Sequence, residues 1–431
     1  MKVLNSPAIS PFGGINFVIK EAIDLNINKL IENNLPPLPQ QSTYNWFDII
    51  MSYWSVFFCG GDCAEDLAIN LKDGLLENPF IKIPSPDRVL ERLKSLSVPS
   101  VVLKTKKGKS KNQFSIHEEL NLLNIQLLNK LSTFQKKDVT LDYDNTIIYT
   151  SKADAKYAYT KSTGYCPGVG IIDNHVVYVE NRNGNCASHT LQDETIDRMM
   201  LLLKQENISV KTIRADSASY AFDIVTTMLK HAKTIFVRAK LKTTVIDAIS
   251  QISEWNQIKV GNEIMYRGTV NFVPFKEAAR KSHRNDDLRE FRLVITKKKN
   301  KTGQLNVFTG EACEYSAIMT NDFDMTDDQV VNFYNQRGAK EREFDVMKND
   351  FGWNNMPFSR LEQNTVFLII TAMCRNFYNH IITVFSKRVK GLNAKSRIKK
   401  FIFRFICIPA KWIKTGRSMK LRLYGEIAFR T

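Results

Sequence analysis

No stretch of the 431 residues reaches 18 uninterrupted apolar positions, because the best candidates are broken by Asp48 or Arg404. A membrane-spanning helix is therefore not expected. Cysteine is sparse and unpatterned, with seven residues at 59, 63, 166, 186, 313, 374 and 407. An odd, scattered set without a secretion signal predicts a reduced chain in the cytosol rather than a disulfide framework. Cys59 and Cys63 in CGGDC lack a second Cys or His pair at finger-like spacing, so no zinc site is expected there. Acids are what the end of the chain lacks most. From Lys387 to Thr431 fourteen Lys or Arg accompany a single acid, Glu426, a local balance of +13 out of +17 for the whole chain. Smaller basic runs stand at KTKKGKSK (104–111) and KKKNK (297–301). Basic surface concentrated in this way favours a polyanionic partner, of which nucleic acid is the commonest.

What is present points to a folded, multi-part chain: 43% hydrophobic and 10% aromatic residues, and enough length for two to four domains. Residues 1–135 carry apolar positions three and four apart and read as a helical amino-terminal domain. At 139 the pattern changes. VTLDYDNTIIYT alternates as a strand, GVGIIDNHVVYVENR reads as two strands about an Asp173-Asn174 turn, and DETIDRMMLLLKQEN as a helix. The strand VKTIRADS, the helix YAFDIVTTMLKHA and the strand TIFVRAK follow. That order predicts an α/β fold, a mixed sheet that begins as a meander and continues with parallel strands. Residues 241–315 break into short alternating runs, among them QLNVFTG, and predict a β-rich insertion. Thr326 with Gln329 forms a capping box that starts a further helix, TVFLIITAMCRNFYNHIITVF supplies another, and the basic tail (386–431) closes the chain.

Three acids fall where such a sheet places its chemistry. Asp144 lies on the first strand, with Asp142 on the same face as an alternative; Asp216 stands where a parallel strand runs out; Glu341 lies on the helix begun at Thr326. Gathered together they would repel, so cations are needed, and ligation by oxygen alone suits Mg²⁺ or Mn²⁺. A pair of such ions could activate a water on one side of a phosphodiester and stabilise the leaving oxygen on the other. Beside Glu341 the sequence YNQRGAKEREFDVMK puts Tyr334, Arg337, Glu341 and Lys348 at offsets of 0, 3, 7 and 14. On one continuous α-helix these share an arc about 60° wide and a stripe about 21 Å long, enough to follow several phosphates of one strand. Gly338 would leave room there for a backbone to come close.

This combination resembles the DDE transposases of bacterial insertion sequences, in the IS-four superfamily that carries the YREK signature. All four signature positions match, as Tyr334, Arg337, Glu341 and Lys348, and FGGINFVIKE, LDYDNT, GYCP, RNGN, IRADS and KNDFGW look like one branch of it. The resemblance implies an RNase H-like core in two parts (136–240 and 316–385) interrupted by the β-rich insertion (241–315). It implies Asp144, Asp216 and Glu341 as catalytic ligands of two Mg²⁺ or Mn²⁺ ions, with Tyr334, Arg337 and Lys348 as contacts to the DNA backbone. It further implies cut-and-paste excision through a hairpin, strand transfer into target DNA, recognition of terminal inverted repeats, a homodimer in the synaptic complex, and a place in the bacterial cytosol at the nucleoid. Trp255 lies in the segment where such enzymes can hold a flipped base.

Overall fold

The fold is built outward from one strand. In the computed structural model, described for residues 9–425 apart from 76, 106–107, 109–110, 132–133, 261–262, 301–302, 304 and 306–309, that strand lies near the middle of an eleven-stranded sheet. QLNVFTG falls mostly outside the described residues, as do Lys106, Lys107 and Lys109 of the first basic run, Lys301 of the second, and Glu426 and Arg430 of the tail.

Along the chain, β1 (Val101–Lys104) and β2 (Lys111–Ser115) form a hairpin, and β3 (Val139–Asn145) is the central strand. A small separate sheet follows, of β4 (Ile148–Tyr149), β5 (Lys156–Tyr157) and β6 (Thr163–Tyr165). Next come β7 (Gly168–Ile172), β8 (His175–Arg182), β9 (Val210–Ala215) and β10 (Thr234–Arg238). The antiparallel meander β3–β7–β8 and the parallel neighbours β9 and β10 give the spatial order β8-β7-β3-β9-β10, the mixed sheet expected from the sequence and the RNase H-like core that the resemblance implies. The turn between β7 and β8 falls at Asp173, whose φ of 51° is the left-handed conformation such a tight connection uses.

The β-rich segment extends this sheet. β11 (Asn256–Val260), β12 (Glu263–Phe272), β13 (Phe291–Lys299) and β14 (Cys313–Thr320) continue outward, with β14 antiparallel to β10 through Phe236 and Thr320. At the opposite edge, β2 pairs with β8 through Phe114 and Arg182. The expected all-helical start is therefore helical up to Ser95, and then lends two strands to the common sheet.

The amino-terminal helices do not stand apart from the core. The 25-residue helix Leu361–Phe385 packs against β8 and the helix Glu118–Lys130, and Trp54 Nε1 donates to the Ile370 carbonyl at 3.0 Å. Asn376 accepts from Val176 N–H at 3.0 Å and donates to Asn124 Oδ1 at 2.9 Å, so one buried amide joins two helices to a strand. Buried polar groups are tolerated when paired in this way.

The basic segment expected as a tail is folded back. Its hairpin, β15 (Ala410–Thr415) and β16 (Ser418–Leu423), joins the amino-terminal stretch by an isolated bridge between Ser10 and Ala410. Gly13 and Gly14 donate to the Ile408 and Ile406 carbonyls. A Cβ on Gly13 would come within 2.4 Å of the Ala410 Cβ, and one on Gly14 within 2.1 Å of the Phe405 carbonyl oxygen, which explains the paired glycines of FGGINF.

Candidate active site

Asp144 is the penultimate residue of β3, and Asp216 follows the last residue of β9. Tyr143 and Ala215 are register partners in this parallel pair, so both carboxylates leave the sheet at the carboxyl ends of adjacent strands. Asp216 Oδ1 accepts from Ala218 N–H at 3.0 Å, capping the short 3₁₀ turn Ser217–Ser219. Asp142 and Asp144 differ in their partners. Both oxygens of the buried Asp142 carboxylate are taken, each at 2.8 Å, by Nε and Nη2 of Arg214. Arg214 Nη1 also donates to the Phe333 carbonyl at 2.5 Å, and its guanidinium lies 4.6 Å above the Phe333 ring. Asp142 is therefore committed to fixing the helix Asp327–Asn335 against the sheet.

Asp144 has a looser partner. Arg337 Nη2 lies 2.7 Å from its Oδ2, and among the described residues Nη2 and Nε make no well-aligned hydrogen bond. Burial raises the Asp144 carboxyl to about 6, with Arg337 opposing the rise and the charge of Asp216 adding to it. Two acids thus share one mouth, with the Arg337 guanidinium against Asp144 and the Lys240 ammonium within electrostatic reach of Asp216.

The stripe takes a different shape from the expected one. The capping box at Thr326 and Gln329 is present, but the helix it starts ends at Asn335. A 3₁₀ segment, Gln336–Lys340, separates it from the helix Glu341–Asp350. Five residues at about 120° rather than 100° shift the phase by roughly 100°, so the four side chains no longer lie on one arc. Gly338, with nothing within 4 Å of a Cβ placed on it, is the weak point in the helix. Arg337, inside the break, is drawn towards Asp144, and Tyr334, just before it, is buried. The Tyr334 hydroxyl donates to the Ala215 carbonyl at 3.2 Å, just before Asp216. Lys348 is half-buried, its pKa lowered by burial, and donates to the Ile147 carbonyl at 2.8 Å. Glu341 heads the second helix and is exposed, whereas Glu343 is buried in an ion pair with Arg375 at 2.9 Å.

Asp144 and Asp216 therefore sit together, and Glu341 does not complete with them a cluster whose ligand atoms all lie within 4.8 Å. Among the described residues the one such cluster is Asp62, Cys63 and Asp66. There Asp66 Oδ2 accepts from the backbone of Asp62 at 3.1 Å, which accounts for it as a turn cap. Trp255 is half-buried, edge-on to Tyr315, with Lys297 Nζ 5.2 Å from its ring centre, so its face is already occupied from within the insertion. Sequence reasoning missed a cleft next to Asp216, lined by Tyr220, Phe222, Phe275, Lys240 and Lys242. Its lining comes from four separate segments, at 189, 218–222, 240–245 and 275–278, and alternation within any one of them gives no sign that they meet.

Three comparisons bear on this arrangement. No curated protein matches the chain. Its fold is similar to that of a piggyBac transposase solved as a synaptic complex with hairpin DNA, with a TM-score of 0.44 and 10% identity over 92% of this chain and 80% of that one. Residues 27–431 match the family model described as transposase DDE domain group 1, and on that match, which takes in β3, β9 and the helix of Glu341, the chain belongs to the DDE transposase family.

Proposed function

We propose that the protein excises and inserts its own element by metal-dependent DNA strand cleavage and strand transfer. The observation that carries this reading is the pairing of Asp144 and Asp216 at the carboxyl ends of β3 and β9, with one carboxyl raised to about 6 although the Arg337 guanidinium stands against it. Two partly solvated carboxylates at one mouth suit a hard divalent cation, Mg²⁺ or Mn²⁺, held through oxygen. Bound there, such ions supply Lewis acidity at the phosphodiester and an activated water.

In this reading Asp144 and Asp216 are the inner ligands, and Glu341 is a third donor offered from the head of its helix. Arg337 holds Asp144 in place and turns its unused N–H groups to phosphate oxygens, for which a planar fork is well matched. Lys348 ties the helix of Glu341 to the chain just beyond Asp144. The scheme is cut-and-paste: hydrolysis at the element end, attack of the freed 3′-OH on the opposite strand to leave a hairpin, and transfer of the reopened end to target DNA. A homodimer would pair the two terminal repeats.

The test is a purified chain with a DNA fragment carrying the terminal inverted repeat of its own element. Nicks and hairpins are expected with Mg²⁺ or Mn²⁺ and not in chelator, and Asp216→Asn or Glu341→Gln should abolish both. Absence of cleavage with either metal rejects the proposal. Unchanged biological effect and binding for Asp216→Ala would instead identify a silent DNA-binding descendant.

A further inference from the structure

Between β3 and β7 the chain leaves the main sheet to form the small sheet of β4, β6 and β5. This flap bears three of the most exposed aromatic rings in the structure, Tyr149 (55% exposed), Tyr157 (62%) and Tyr159 (83%). Lys156 and Lys161 are exposed beside them and Lys152 is half-buried. None of the three lysines pairs with an acid among the described residues. The flap's own acid, Asp154, is occupied, accepting from the Tyr165 hydroxyl and, at 2.7 Å, from Leu361 N–H. Tyr149 and Lys156 are both register partners of Gly164, so their side chains share a face with no side chain between them.

The base of the flap is fixed. Gly184 donates to the Gly164 carbonyl at 2.9 Å, and Lys348 holds Ile147, three residues past Asp144. Exposed rings on a braced support, interleaved with unpaired cations and rooted beside two carboxylates, have the chemistry of a platform for unpaired nucleotides. Aromatic faces stack on bases of any sequence, and lysines follow the phosphates.

We propose that this flap grips unpaired nucleotides of the DNA strand leading to Asp144 and Asp216, with Tyr149 and Tyr159 stacking on bases and Lys152, Lys156 and Lys161 on phosphates. The inference rests on the transposase reading for its choice of partner; the alternative occupant is a second copy of the chain. The full-length protein is titrated in chelator with a labelled mixed-sequence duplex bearing a single-stranded overhang, and with the same duplex blunt-ended.

Tyr149→Ala with Tyr159→Ala should weaken overhang binding about 10-fold and blunt binding less than about 2-fold, with unchanged salt dependence. Replacing the three lysines by alanine should lower the slope of log affinity against log salt by about 2, and Ser162→Lys should raise it by about 0.7. Unchanged affinity and slope in every variant would overturn the proposal, as would equal losses on both duplexes for the tyrosine variant. So would conversion of a DNA-free dimer to monomer in sedimentation of the tyrosine variant, which would assign the surface to self-association. Chelator separates this test from catalysis: a flap-dependent overhang preference in a chain that never cleaves supports the grip and removes the transposase activity.

Discussion

Two carboxylate–guanidinium pairs stand on the same face of β3, two residues apart, and they are built differently. Asp142 and Arg214 meet fork to fork, both buried, with the remaining guanidinium N–H tied to a helix carbonyl. Asp144 and Arg337 approach to 2.7 Å, side chains 21% and 11% exposed, and among the described residues Nε and Nη2 of Arg337 make no well-aligned hydrogen bond. The first pair is complete and joins a helix to the sheet. The second is incomplete, and in the function proposed above that incompleteness beside a second acid leaves room for a cation and a phosphate.

The sharpest way to break the comparison is to neutralise each acid in turn. Asp144→Asn should lower the rate of metal-dependent cleavage by about 10³-fold or more, about 4 kcal/mol of barrier, while DNA binding and folding persist. Asp142→Asn should act the other way round. It leaves Arg214 buried without its counter-charge, which costs about 3 to 5 kcal/mol of stability. Urea unfolding measures that loss, and any activity lost should follow the folded fraction. If Asp142→Asn instead abolished cleavage in fully folded protein, the two roles would have to be exchanged.

A titration sharpens the contrast further. Asp144 rises from its ordinary 3.8 to about 6 in the folded chain. Between those values the folded state holds a proton that the unfolded state has released, so stability is fully present below about pH 4 and declines as pH rises through about 6. The change is at most about 3 kcal/mol. Denaturant midpoints across this range should fall with pH in the wild type and flatten in Asp144→Asn. Divalent cations compete with the same proton, so calorimetric Mn²⁺ affinity should weaken below about pH 6.

The contrast also marks what could be read from the sequence. Alternation placed Asp142 and Asp144 on one face, and the end of VKTIRAD placed Asp216, because both depend on local periodicity. The meander, the parallel strands and the capping box were legible for the same reason. Which acid pairs with Arg214 depends on the β3–β9 register, a long-range fact. The helix break at 336–340 goes with long-range contacts of Tyr334 and Arg337 to the ends of β9 and β3, neither visible in a helical wheel. The folding back of the basic segment rests on a bridge between Ser10 and Ala410, four hundred residues apart, which no local pattern encodes.

Tyr334 carries the smallest expected effect and tests the comparison from the side. As a phosphate contact it would need an available hydroxyl, but that hydroxyl donates to the Ala215 carbonyl and the ring lies in a cluster with Phe236, Val330 and Val331. Tyr334→Phe keeps the packing and removes one hydrogen bond, so a stability loss of about 1 kcal/mol is expected. If Tyr334 only positions the end of β9, DNA affinity and its salt dependence stay constant, and cleavage falls modestly through Asp216. A weakened affinity with unchanged stability would show that the ring swings out to meet DNA, and the break in the helix would then be a hinge rather than a fixed bend.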